Sequence, residues 1–358
     1  MAKSKKRGKL IWATGLPGCE RKEYLKRLVK LCKKNGKKIK IYNIGDRMFE
    51  IAKKTDIPIT IEKVLDSPPH TINPTRAAAL EGPLAKREID LAENDIVMYI
   101  LHTRYVWEGE WIPAYNIHYM KKFDPDMFIS FIDSADKILQ RLKDRDQWSD
   151  QDLSETLIWH WQNEEVNNTE TYKYLFGEEK KPFYVIPVLQ PEETLYHLIF
   201  EPWRPRVYAM MPISHLDEKE LKKVTRFIKW LENYFIVFNP LTIDINYTKP
   251  VTETDRRTRE HQTVIRDLYW HIGQSEMCIA YFVRLVFTAG VVIETKHARD
   301  TNKDVYWIFP KEPGPFEKRY VKPTQIFKAL AEFKQYVISD ILPIIEQRKQ
   351  KYLTQNKI

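Results

Sequence analysis

The chain has 358 residues, 43% of them hydrophobic, with 58 Lys+Arg against 49 Asp+Glu. That composition excludes an intrinsically disordered chain and leaves room for two or three packed domains. No apolar run approaches the ~18 residues of a membrane helix, and the basic start MAKSKKRGKL is not followed by the apolar stretch of a secretory signal.

The sequence therefore reads as cytoplasmic, with no membrane partner. Cys19, Cys32 and Cys278 lie far apart without C-x-x-C spacing. This argues against a disulfide framework or a zinc knuckle, so no metal-ligand cluster is expected. The net charge of +9 is uneven: residues 1–40 hold 15 Lys+Arg against Glu20 and Glu23, while the remainder has 43 against 47. A basic end suits an anionic ligand, or RNA or DNA. It equally suits a solvated lysine-rich face, and no base-stacking aromatics are interleaved with these lysines.

In chain order, short apolar runs alternate with helical periods, the pattern of an α/β protein with parallel sheets. Strands are expected at 9–14, 38–44, 95–101, 127–132 and 183–188. Helices are expected at 21–34, 46–54, 83–93, 134–144, 150–173 and 191–199. FEPWRPR, residues 200–206, reads as a linker, giving domains 1–200 and 201–358. A second series follows, with strands at 206–214, 235–239, 277–282 and 304–309. Its helices fall at 217–233, 255–272 and 290–299, with a long closing helix from Pro323 to Lys351, bent at Pro343.

The first loop, TGLPGCERK, follows a strand and opens a helix, a favourable place for an anion. Gly15 and Gly18 support that geometry. Against the phosphate-loop pattern G-x-x-x-x-G-K-[ST], Arg21 stands in the lysine position and Lys22 in the hydroxyl position that holds magnesium.

With YNIGDRMFEIAKK (42–54), LHTRYVWEGEWIPAY (101–115), FDPDMFISFIDSADKILQRLKDRD (123–146) and WQNEEVNNTETY (161–172), residues 9–199 resemble the archaeal-type adenylate kinases. The resemblance implies a three-layer P-loop domain with a monophosphate cleft and a lid. It implies ATP, ADP or another nucleotide as ligand, with Asp46, Arg47 and Met48 beside the monophosphate and Arg141 facing phosphate. Leu101 stands where the family has an acidic residue that helps hold magnesium. The lid between Arg141 and Ser149 carries only Arg145. Loss of these magnesium and phosphate groups points to a degenerate kinase domain, retained to bind a nucleotide or a partner, or as scaffold. His102 reads as a packed histidine. Trp107, Trp111 and Trp148 could stack on a base, but such residues more often pack a loop on a core.

In the second half, TAGVVIE (288–294) opens a helix above the C-terminal edge of the sheet, where ligands of open α/β sheets bind. Glu294 there has the chemistry to attack a sugar anomeric carbon, and the helix N-terminus is expected to keep it ionised. This segment, with Arg266-Asp267-Leu268, resembles the nucleoside 2-deoxyribosyltransferases and deoxynucleoside 5′-monophosphate glycosidases.

The resemblance covers about residues 206–320 and implies a flavodoxin-like domain that assembles as a homo-oligomer. It makes Glu294 the nucleophile, oriented by Asp267 and Tyr208, with Thr288 and Gly290 at the substrate. The run TETDRRTREH (252–261) reads as a solvated helix start of mixed charge. The expected activity is cleavage or transfer of an N-glycosidic bond in a nucleoside or its monophosphate, beside a nucleotide-binding kinase-like domain. The alternatives are a nucleoside-monophosphate kinase and a non-catalytic nucleotide sensor.

Overall fold

A computed structural model describes residues 7–355 except 63, 108, 115, 149–150, 177–180, 214–215, 244–251, 287 and 313. The six basic-start residues and the far end of the expected lid thus lie outside the described residues. Packing divides the chain into two units, Met1–Leu189 with Ile243–Arg259, and Gln190–Thr242 with Glu260–Ile358. Residues 190–200 therefore pack with the second unit, and the described residues of the segment 243–259 return to the first.

The first unit is built on strands β1 (Lys9–Gly15), β2 (Ile39–Asn43) and β3 (Ile96–Ile100), the hairpin β4 (Arg104–Trp107) and β5 (Glu110–Pro113), then β6 (Met127–Ile132) and β7 (Phe183–Pro187). Five strands form one parallel sheet in the order β2-β3-β1-β6-β7. The middle strands are covered on both faces. That is why IVMYI and MFISFI read as unbroken apolar runs rather than alternating ones.

Helix α1 (Arg21–Lys34) buries Tyr24, Leu25, Leu28 and Cys32, spaced three and four apart, and ends at Asn35 and left-handed Gly36. Helices α2 (Ile44–Lys54), α3 (Pro69–Ala85), α4 (Arg87–Glu93), α5 (Ile117–Phe123), α6 (Ala135–Lys143) and α7 (Glu155–Tyr172) complete the unit. One core packs Trp12, Tyr99, Phe123 and Phe128.

The sequence places one helix at 83–93, whereas two helices cover 69–93 with Pro74 and Pro83 inside the first. Pro69 starts α3 at a position where its missing N–H costs nothing. Pro83 leaves the Ala79 carbonyl without its helical donor, and the Arg47 Nε donates to that carbonyl at 3.2 Å.

The second unit carries α8 (Glu192–Phe200), β8 (Arg206–Met210), α9 (Glu218–Leu231) and β9 (Ile236–Phe238). Helix α10 (Glu253–Val264) starts in the first unit and runs into a π-helix, Ile265–Ile272. Then come β10 (Met277–Tyr281), α11 (Ala289–Asp300), β11 (Asp304–Ile308), α12 (Pro315–Tyr320), β12 (Ile326–Phe327), α13 (Leu330–Tyr336) and α14 (Leu342–Gln355).

The parallel sheet runs β9-β8-β10-β11-β12, the flavodoxin-like order 2-1-3-4-5 when its strands are counted along the chain. The fold is thus α/β in both units. The expected single helix from Pro323 is instead a 3-10 turn, a short strand and two helices joined by a π turn, Val337–Ile341. That π turn lies directly before Pro343, whose ring blocks the carbonyl four residues back, so the wider register accommodates it.

Candidate nucleotide cleft and Glu294 site

In the first unit β1 and β3 are neighbours whose chains leave in opposite directions across the sheet, which defines a switch point. The loops after these two strands line a cleft of about 660 Å³. Gly15 has φ +148°, and a Cβ there would lie 2.9 Å from the Phe131 carbonyl oxygen, so no other residue fits without displacement. Gly18, at φ +81°, completes the turn, and Glu20 enters α1 in the left-handed region without capping its amides. The first N–H groups of α1 have no side-chain cap, as an anion site requires.

Arg21 does not reach out of this loop. Its Nη1 donates to the carbonyls of Gly15 and Leu101, the latter at 3.0 Å, and its Nη2 lies 2.9 Å from His102 Nε2. Burial and the Arg21 charge lower the His102 pKa, against the pull of Glu165. Facing the Arg21 donor, Nε2 serves as the acceptor, and Nδ1 lies 3.7 Å from Glu165 Oε1.

Glu165, on α7, is fully buried and accepts from the backbone N–H groups of Gly15, Thr103 and Arg104 and from the Thr103 hydroxyl. Burial alone would raise its pKa, but His102 and Thr103 outweigh it and hold the carboxyl below its ordinary value.

The other residues named from the sequence fall into two groups. Gly18, Arg21, Lys22, Asp46 and Arg145 line the cleft, with Lys22 and Asp46 ion-paired at 3.0 Å. Arg141 and Arg47 are engaged elsewhere. Arg141 Nη1 donates to Asp133 at 2.6 Å and to the Gly18 carbonyl at 2.9 Å, bracing the loop from behind. Arg47 serves Ala79, and its guanidinium lies 5.6 Å over the Tyr42 ring.

Sequence reasoning did not single out Glu165, Arg76 or Tyr105. Glu165 was findable, because it shares the buried face of α7 with Ile158, Trp161, Gln162, Val166 and Thr169. Arg76, on α3, was hidden with its helix. Trp148 and Trp161, whose ring centroids are 5.8 Å apart, form an aromatic wall of the cleft, and Trp111 packs edge-on against Trp161.

In the second unit Tyr208, in the middle of β8, donates its hydroxyl to Glu294 Oε1 at 3.1 Å, across 86 residues of sequence. The second oxygen, Oε2, is buried without a hydrogen-bond partner among the described residues. Asp267 accepts from Arg266 Nε at 2.8 Å and from its Nη2 at 3.0 Å. Burial first, and then the nearby Asp267 charge, push the Glu294 carboxyl up to about 8, against Tyr208 and Arg266.

The expectation that the helix N-terminus keeps Glu294 ionised is thereby corrected. Glu294 is the sixth residue of α11, beyond the first turn where the dipole acts, and burial dominates. Thr288 is the N-cap of α11, its hydroxyl accepting from the Val291 N–H at 3.3 Å, and Gly290 is exposed in the first turn. Tyr208 stacks on fully buried His271, the ring centroids 5.8 Å apart.

The switch-point cleft, glycine turn and uncapped helix start define a P-loop, kinase-like nucleotide-binding domain in the first unit. Residues 14–158 match a family model described as "AAA domain". No curated protein matches the chain.

Among solved structures, "Crystal structure of APE1195" is 16% identical over 54% of this chain and 95% of that one, with a TM-score of 0.29. "Crystal structure of TT1252 from Thermus thermophilus" is 9% identical over 51% and 90%, with a TM-score of 0.28. Among the described residues, no helix is long and apolar enough to cross a membrane.

Proposed function

We propose that the first unit binds a nucleoside phosphate in the β1/β3 cleft and does so without efficient phosphoryl transfer. The observation that carries this reading is the Arg21 guanidinium folded back onto the carbonyls of Gly15 and Leu101. Phosphoryl transfer needs positioned cations on the transferred group. Here the residue in the lysine position is spent on the loop itself, and Lys22 and Leu101 offer no oxygen to a magnesium ion. The test is titration of the full chain with ATP, ADP and AMP, following Trp148 and Trp161 fluorescence, beside an assay of phosphate transfer from ATP to monophosphates. Saturable binding with turnover at least a thousandfold below a working kinase fits the reading. Brisk transfer that is lost in Arg21→Ala would replace it with the kinase alternative. No binding at millimolar nucleotide would end both.

A second reading, N-glycosidic bond cleavage or transfer in the second unit, is favoured by the Tyr208–Glu294 hydrogen bond and the orphan Glu294 Oε2. In this reaction the Glu294 carboxylate bonds to C1′ as the C1′–N bond breaks, and the departing base takes up a proton. Water then cleaves the glycosyl ester, or a second base displaces it. Only the ionised carboxylate attacks, so base release should climb with pH through about 8. Thr288 and Gly290 would border the sugar phosphate, and the homo-oligomer implied by the resemblance belongs to this reading. Free base is measured for wild type and Glu294→Gln on nucleosides and their monophosphates. Release by both proteins, or by neither, would remove the glycosidase.

A further inference from the structure

When an N-glycosidic bond breaks, a neutral base leaves with both bonding electrons and needs a proton from an acid beside it. Among the described residues, the titratable groups that bear on Glu294 supply none. Tyr208 spends its hydroxyl on Glu294 Oε1, at 3.1 Å, and burial raises its pKa well above the ordinary phenol value. Burial likewise raises the pKa of the Cys278 thiol, which feels the Glu294 charge. Arg266 keeps its proton at any working pH, and Asp267 is an acceptor, bound to Arg266 Nε and Nη2. His271, stacked on Tyr208, is fully buried, and burial and the Arg266 charge lower its pKa well below the ordinary imidazole value. It therefore holds no extra proton to give at neutral pH. His297, three residues beyond Glu294 on α11, packs edge-on against the exposed Tyr269 ring, the centroids 5.6 Å apart.

Charge points the same way. Arg266 and Asp267 cancel, so an ionised Glu294 leaves the cluster with one net negative charge. Asp267 repels that carboxylate more than Arg266 attracts it, and Oε2 is buried without a hydrogen-bond partner among the described residues. A buried negative charge of this kind is stabilised by a cation brought in from outside.

We propose that the Glu294 site takes N-glycosides whose base carries a fixed positive charge, a pyridinium or an N-alkylated purine. As the cation settles against Glu294, the acid proton passes to solvent. The carboxylate then bonds to C1′ while the C1′–N bond breaks. The bonding pair returns to the ring nitrogen and cancels its charge, so the base departs neutral without taking up a proton. Water next gives its hydroxyl to C1′ and its proton to the released Glu294 carboxyl, which restores the acid. The inference rests on the N-glycosidic reading given above and names its substrate class.

The test uses the full chain with 7-methylguanosine against guanosine and nicotinamide riboside against uridine, in ribo and 2′-deoxyribo forms and as 5′-monophosphates. Free base is measured at pH 7, and each rate is divided by the rate without protein, because cationic nucleosides are the more labile on their own. Wild type is expected to accelerate the cationic member of at least one pair about 100-fold or more beyond the neutral member, the factor that a missing general acid withholds. Glu294→Gln, shown to be folded by its melting curve, should lose the acceleration.

The comparison of substrates is made on wild type, so it stands whatever the stability of the variant. A smaller ratio, with release still lost in Glu294→Gln, overturns the proposal and leaves the N-glycosidic reading in place, since an acid such as His297 must then reach the base. Acceleration of no substrate by wild type, or acceleration that Glu294→Gln keeps, overturns both.

Discussion

Single side chains carry charges and conformations that decide what each unit can do. Glu294 is the clearest case. Its folded-state pKa, about 8, lies above the ordinary carboxylate value, so the folded chain holds a proton there that the unfolded chain releases. Its contribution to stability is complete below the ordinary carboxylate range and is lost as pH rises through about 8. Glu294→Gln should remove that slope. The stability difference between the variant and wild type should move toward the variant between pH 5 and 8.5, by on the order of 2 kcal/mol or more, because the carboxyl is largely buried. Parallel curves in urea melts at those two pH values would contradict the assignment.

Gly15 gives a second residue-scale expectation. Gly15→Ala forces a Cβ within 2.9 Å of the Phe131 carbonyl at φ +148°, and should cost about 2 kcal/mol or more in chemical denaturation. A near-neutral change would mean that the loop relaxes freely.

At the scale of elements, much was legible in the sequence for a stated physical reason. Buried parallel strands must be apolar on both faces, so KLIWAT, IVMYI and MFISFI announce themselves. Helix α3 does not, because Pro74 and Pro83 look like stop signals. The second is tolerated only because Arg47, distant in sequence, supplies the missing donor. The same contact explains why Arg47 could not be assigned by position alone.

The Tyr208–Glu294–Asp267 neighbourhood was suggested by the family resemblance of the second half, with only the place of Glu294 above the sheet edge following from the α/β order. Its protonation was not, since desolvation depends on packing that no local pattern encodes. Helix α9 provides the prediction at this scale. Asp217 accepts from the Glu220 N–H at 2.8 Å, Glu220 returns the contact at the Asp217 N–H, and Arg284 bridges both acids. Asp217→Ala should therefore lower stability by about 1 kcal/mol, read from the urea midpoint. Loss under a few tenths would show that the box is redundant.

On the whole chain, two cores are each enclosed by their own sheet and helices. Within the first, the returning segment is fastened to α7 by Arg259, whose Nε donates to Glu155 at 2.8 Å. The Thr156 and Thr258 hydroxyls also meet there, at 2.8 Å. Both charges of the pair are buried. Arg259→Ala leaves Glu155 uncompensated and should destabilise the first unit by about 3 kcal/mol. Calorimetry should show one of two transitions moving down while the other stays. A shift of both, or of neither, would deny that the segment belongs to the first core.

That fastening also has a consequence for synthesis. The last strand of the first sheet ends at Pro187, yet α7 keeps a bare carboxylate until Arg259 is made, 72 residues later. At about 5–20 residues per second the nascent domain waits several seconds with its flank open. Slowing translation across that interval should therefore lengthen the exposure of a half-finished domain to chaperones, instead of helping it mature.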